Sequence, residues 1–168
     1  MLTAAEAAFA ARQPLVLAPA LRTSKYVHAG QLFASAEPCD ISTILGSCVS
    51  VCLWEPQRGI GGINHYMLPW EASPSDSGPR FAGFAVRKLI ETLERLGADR
   101  RRLRAKLFGG ASVLTPQLSG GLGMRNIEAG HSLLAEAGIP IIDEETGGER
   151  GRKLVFRSDD GSAVVRKL

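Results

Sequence analysis

The chain has 168 residues, 45% of them hydrophobic and 22% charged, and a net charge of +3 at neutral pH. That length suits one domain with a buried core, and those proportions exclude wholesale disorder. The charge excess is too slight to mark a nucleic-acid binder, and no apolar run reaches the roughly 20 residues that a membrane span needs.

The first 25 residues are Ala-rich but carry Glu6 and Arg12, and no basic leader precedes a clean apolar stretch. They are expected to be an N-terminal extension (1–25) rather than an export signal, with the globular domain over 26–168. Three cysteines, Cys39, Cys48 and Cys52, are too few and too closely spaced for a disulfide framework. Cys48 and Cys52 also lack a second Cys/His pair to complete a zinc site, so free thiols in a reducing, cytoplasmic compartment are expected.

Residues 41–46 and 48–54 read as two extended segments separated at Gly46-Ser47, because Val49, Val51 and Leu53 alternate with Ser50 and Cys52. Glu55 to Gly59 supplies a turn, and 60–68 reads as a strand returning antiparallel. The Pro/Ser/Gly-rich stretch 69–80 is a loop, expected to be the most mobile segment. Helical spacing over 80–96 places Phe81, Phe84, Ala85, Leu89, Leu93 and Leu96 on one side, with Gly97 as the stop. The basic run Arg100, Arg101, Arg102, Arg104 and Lys106 has no interleaved aromatics and reads as a solvated connector. A strand is expected over 103–108. A second helix follows over 124–137, with Ile127, Leu133, Leu134 and Ala137 inward and Gly138 as C-cap. Strands near 139–143, 153–157 and 162–167 close the chain, the last two joined at Asp159-Asp160-Gly161. This is an α+β pattern.

Chemistry concentrates in residues 41–69. Cys48 follows Gly46-Ser47, where the extended chain bends, so backbone N–H groups there are free to face a reacting oxygen. A thiol needs a neighbouring base because the thiolate is the attacking species. The turn after Glu55 folds His65 back beside the bend, which makes Cys48 and His65 a candidate nucleophile–base pair. Cys52 reads as core and Cys39 as a loop residue. His28 and His131 have no nucleophile near them.

The segment GSCVSVCLWEPQRGIGGINHYMLP at 46–69 resembles the signature of the CheD family, the chemoreceptor glutamine deamidases of bacterial chemotaxis. KLFGGA at 106–111, GMRNIEA at 123–129, GIPI at 138–141 and TGGERGRKLVF at 146–156 agree with that family in the same order. The resemblance runs from about Tyr26 to Leu168. It implies a CheD-like layered fold of mixed β-sheets with helices packed on the outer faces, in a single domain related to the catalytic domain of the cytotoxic necrotizing factor toxins. It further implies Cys48 as nucleophile and His65 as base, acting without a metal or an organic cofactor. A hydroxyl residue six positions before the cysteine completes the family's site. Counting back reaches Ser42, with Thr43 one step later, and strand parity favours Ser42. The implied substrate is a glutamine, or a glutamate methyl ester, on the cytoplasmic helical region of a chemoreceptor. A CheC-type phosphatase is an implied partner; neither nucleic acid nor membrane insertion is.

Overall fold

The structure, a computed structural model, describes residues 21–113 and 121–168. Its strands form two sheets. The four-stranded sheet has the order β1-β3-β8-β9, from β1 (Thr23–Tyr26), β3 (Cys39–Leu45), β8 (Arg152–Arg157) and β9 (Ala163–Lys167). The five-stranded sheet has the order β2-β5-β4-β6-β7, from β2 (Leu32–Ser35), β5 (Ile60–Asn64), β4 (Val49–Glu55), β6 (Arg104–Gly109) and β7 (Ile141–Thr146). Helices α1 (Ala82–Arg95) and α2 (Leu122–Glu136) and a 3-10 turn at Arg100–Arg102 complete the described elements. Pairing is antiparallel except for β1 with β3 and β6 with β7.

Period-2 patterning decides which side each strand shows to which layer. In β3, Cys39, Ile41, Thr43 and Leu45 are buried, whereas Asp40 and Ser42 are half-buried and Ile44 is exposed. β4 is central and covered on both faces. Its Val49, Val51 and Leu53 join the cluster beneath the helices with Leu89, Leu93, Leu107 and Leu134. Cys52 of β4 instead joins Ile41, Leu45, Ile63, Phe108, Leu154 and Phe156 between the two sheets. The fold is therefore three layers: a small sheet, a larger sheet and a pair of helices on the larger sheet's outer face.

The expected α1 spans 82–95, and its buried stripe is Ala82, Ala85, Val86, Leu89, Ile90 and Leu93. Phe84 is only half-buried and Leu96 lies exposed just past the helix end. In α2 the buried stripe includes Gly123, Asn126, Ile127, Gly130 and Leu134. The returning strand ends at Asn64 rather than at 68, because the Asn64 side chain accepts the Val51 N–H at 2.9 Å in place of a backbone carbonyl and interrupts the ladder. His65 then exchanges backbone bonds with the turn before β2, accepting from Gly30 (2.8 Å) and donating to Gln31 (2.9 Å). The basic run is paired in part: Arg102 Nε lies 3.2 Å from the buried Glu55 carboxylate, and Arg101 and Arg102 both reach Asp99. β1 and β2 have no counterpart in the pattern read from the sequence, and β1 begins at Thr23, inside the expected extension; residues 1–20 of that extension lie outside the described residues. Among the described residues no helix is long and apolar enough to cross a membrane.

Candidate active site

Gly46, Ser47 and Cys48 join β3 to β4, so they carry the chain from one sheet to the other. No strand neighbour can continue through such a corner, and its carbonyls are held individually. The Gly46 carbonyl accepts from Ala111 N–H at 2.8 Å and the Cys48 carbonyl accepts from Gly110 N–H at 2.8 Å. The Ser47 carbonyl accepts from Asn126 Nδ2 at 2.9 Å. Gly110 sits at φ +70°, and a Cβ there would stand 2.4 Å from Ile127 Cγ1, so only glycine lets this segment lie between the bend and α2. Cys48 is half-buried and packs against the inter-sheet cluster.

His65 reaches the same space from β5. The Val49–Tyr66 bridge extends the β4–β5 register, which puts Ser50 opposite His65 and Cys48 diagonally across from it. Diagonal positions share a sheet face at roughly 7–8 Å, close enough for two side chains to meet. That face looks toward β3. His65 is 5% exposed, and its Nδ1 lies 2.8 Å from Thr43 Oγ1. The Thr43 hydroxyl donates its one proton to the Val27 carbonyl at 2.7 Å. Thr43 must therefore accept from His65, which puts the imidazole proton on Nδ1. Nε2 is left as a bare lone pair, buried and without a hydrogen-bond partner among the described residues.

Burial is the main influence on both His65 and Cys48. It lowers His65 to about 4, with the Val27 carbonyl opposing and the charge of His28 assisting. Burial also raises the Cys48 thiol above its ordinary value, against the pull of its own backbone amide. The resting pair at neutral pH is thus a neutral thiol and a neutral imidazole, not a thiolate–imidazolium pair. Cys52 is fully buried and pushed up to about 12, mainly by burial, which makes it inert, and Cys39 is buried too.

Of the three residues expected to form the site, Cys48 and His65 converge and Ser42 does not. The hydroxyl that reaches His65 is that of Thr43: Ser42 lies on the opposite face of β3, between Tyr26 and Val155, while Thr43 points inward to His65. Parity counted back from Cys48 fails because it runs through the corner, where the chain changes sheets and its facing is reset. Asn126 was not anticipated at all. Its signal was a polar residue on the inward stripe of α2, in line with Gly123 and Gly130. His28 is exposed, its ring 4.7 Å from that of Tyr26, and His131 pairs with Glu144 at 2.9 Å.

Beside the bend lies a cleft of about 120 Å³, lined by Ser47, Ala111, Ser112, Val113, Leu122 and neighbouring glycines. Val113, Met67 and Met124 are partly exposed apolar side chains on segments that border it. Roomier grooves exist, one between α2 and β7; neither they nor this cleft is lined by Cys48 or His65.

Residues 67–167 match the family model described as CheD chemotactic sensory transduction. The chain is 48% identical over 148 residues to "Probable chemoreceptor glutamine deamidase CheD 1" of Anaeromyxobacter dehalogenans, covering 88% of this chain and 86% of that protein. It is 41% identical over 144 residues to "Probable chemoreceptor glutamine deamidase CheD" of Sulfurimonas denitrificans, covering 84% and 92%. The protein of the same name from Trichlorobacter lovleyi is 38% identical over 141 residues, covering 83% and 88%. An alignment of 148 residues within a chain of 168 necessarily takes in Cys48, His65 and Asn126.

Proposed function

The chain belongs to the CheD family, and on that premise we propose that it hydrolyses glutamine side-chain amides to glutamate on the cytoplasmic helical region of chemoreceptors, with Cys48 as nucleophile and His65 as base. The observation that carries the assignment of roles is the His65 imidazole, held with its proton on Nδ1 and its Nε2 lone pair free on the face shared with Cys48.

His65 Nε2 takes the proton of the Cys48 thiol as sulfur attacks the side-chain carbonyl carbon of glutamine, and the C–S bond forms as the C=O electron pair moves onto oxygen. Backbone N–H groups at the corner stabilise that oxyanion, commonly the largest single contribution in such reactions. The intermediate collapses with loss of the amine, which His65 protonates so that it leaves as ammonia. Water, deprotonated by His65, then attacks the thioester. Glutamate is released and the Cys48 thiol recovers its proton. Thr43 keeps the imidazole in the orientation and tautomer these transfers require, as the third member of a triad does.

A neutral pair suits this sequence. Proton transfer is delayed until the substrate covers the site, and the uncovered thiol is protected from adventitious oxidants and alkylators. The test is mass spectrometry of a purified receptor cytoplasmic fragment incubated with the protein. Each converted site gains the mass difference between a hydroxyl and an amino group. Conversion by the wild-type protein, its loss in Cys48→Ala and its persistence in Cys52→Ala are expected. Undiminished conversion by Cys48→Ala would refute the assignment.

A further inference from the structure

Asn126 lies on the second turn of α2 and is completely buried. Its Nδ2 donates to two backbone carbonyls, that of Ser47 at 2.9 Å and that of Met67 at 3.0 Å. Both partners are acceptors, so the orientation of the amide is unambiguous. One of these carbonyls immediately precedes Cys48, and the other lies two residues beyond His65. Asn126 Oδ1, in contrast, is buried without a partner among the described residues. A buried oxygen left unpaired is unfavourable, so the two donors must be what an asparagine supplies here.

The surroundings hold Asn126 itself firmly. Its own backbone carbonyl accepts from the buried Tyr66 hydroxyl at 2.7 Å. A Cβ on Gly123 would stand 2.4 Å from the Gly110 carbonyl, and one on Gly130 would stand 2.7 Å from the Tyr66 hydroxyl. Glycines on the inward stripe thus press α2 onto both catalytic segments, and Asn126 bridges them.

We propose that Asn126 is a positioning residue that forms the oxyanion hole: by holding the Ser47 carbonyl it turns the Ser47–Cys48 peptide so that the Cys48 N–H faces the oxygen of the glutamine under attack. The inference rests on Cys48 being the nucleophile. In a planar trans peptide the C=O and the following N–H point in opposite directions. Fixing the carbonyl toward α2 therefore fixes the N–H away from it, on the side of the Cys48 sulfur, which that amide faces. Among the described residues the Cys48 amide has no carbonyl partner, while the carbonyls of Gly46, Ser47 and Cys48 are all occupied. The corner is thus held entirely through its acceptors, and its donor is left for the reaction. The second bond, to Met67, keeps the His65 segment in register with that donor.

The experiment compares wild type with Asn126→Ala on the receptor fragment and in alkylation by iodoacetamide. Alkylation passes through no oxyanion, whereas amide hydrolysis does. In Asn126→Ala, kcat is expected to fall roughly a hundredfold, near the effect of deleting one oxyanion donor, with KM and the Cys48 alkylation rate within about twofold of wild type. Retained kcat, or alkylation that falls in step with kcat, overturns the proposal. Amide exchange on the wild-type protein gives a test that does not depend on the variant folding. The Cys48 N–H should exchange fast in the free protein and be protected in a thiohemiacetal adduct with a peptide bearing an aldehyde in place of the glutamine amide. The Asn126 side-chain protons should be protected in both states. Protection of the Cys48 N–H in the free protein, or none in the adduct, refutes the proposal. Activity surviving Asn126→Ala but not Cys48→Ala rejects the role of Asn126 alone; activity surviving Cys48→Ala rejects the nucleophile on which it rests.

Discussion

Replacing His65 by glutamine tests whether the base is held neutral, and the effect on stability can be worked from the fold. An unfolded histidine titrates near 6.5, and burial lowers His65 to about 4 in the folded protein. Between those values the unfolded chain binds the proton and the folded chain does not, so stability falls as pH falls. The contribution is fully present above the unfolded value and is lost as pH drops toward the folded one. With 1.36 kcal/mol per unit, the loss amounts to about 2 kcal/mol on going from pH 7.5 to pH 5 and about 3 kcal/mol by pH 4. Urea unfolding of wild type and His65→Gln across this range isolates it, since the depressed carboxylates common to both proteins cancel in the difference. Wild type should lose stability relative to His65→Gln as the solution is acidified, with m-values unchanged. A thiolate–imidazolium pair would raise the histidine instead, and its stabilisation would persist on acidification and fade above neutrality. A stability difference that stays constant from pH 7.5 to 5, or that moves in favour of wild type, would refute the neutral-base assignment.

The Thr43 assignment predicts that Thr43→Val lowers kcat by roughly tenfold to a few hundredfold, in the range of general acid–base contributions, whereas Ser42→Ala is nearly neutral and Thr43→Ser retains most activity. The reverse ranking in a steady-state deamidation assay would place the orienting hydroxyl on Ser42. Iodoacetamide should label Cys48 slowly at neutral pH, with a rate still climbing beyond the ordinary thiol range, while Cys52 stays unlabelled in the native protein; peptide mapping at a series of pH values distinguishes them. Gly110→Ala should destabilise the protein by about 2 kcal/mol or more, since the added methyl meets Ile127 at a left-handed backbone position; equal urea midpoints for variant and wild type would contradict this.

Much of this protein is determined by short-range sequence alone. The alternation of Val49, Val51 and Leu53, the turn after Glu55 and the apolar stripes of both helices are local periodicities that match the elements observed. The proximity of the proposed nucleophile and base was legible for the same reason, since a glycine-marked bend and a tight turn bring Cys48 and His65 onto one sheet face within twenty residues of chain. β1 and β2 were not legible. They are four-residue strands, one exposed throughout and the other half-buried throughout, so neither shows an alternating pattern. The choice between Ser42 and Thr43 belonged to tertiary structure, because the facing of β3 relative to Cys48 depends on how the chain turns between two sheets. Asn126 belonged there as well: its two carbonyl partners lie 79 and 59 residues away. Spacing along a chain reports which residues share a strand face or a helix stripe. Only the packing of one layer on another decides which backbone groups remain unpaired, and that is where a buried hydroxyl or amide acquires its role.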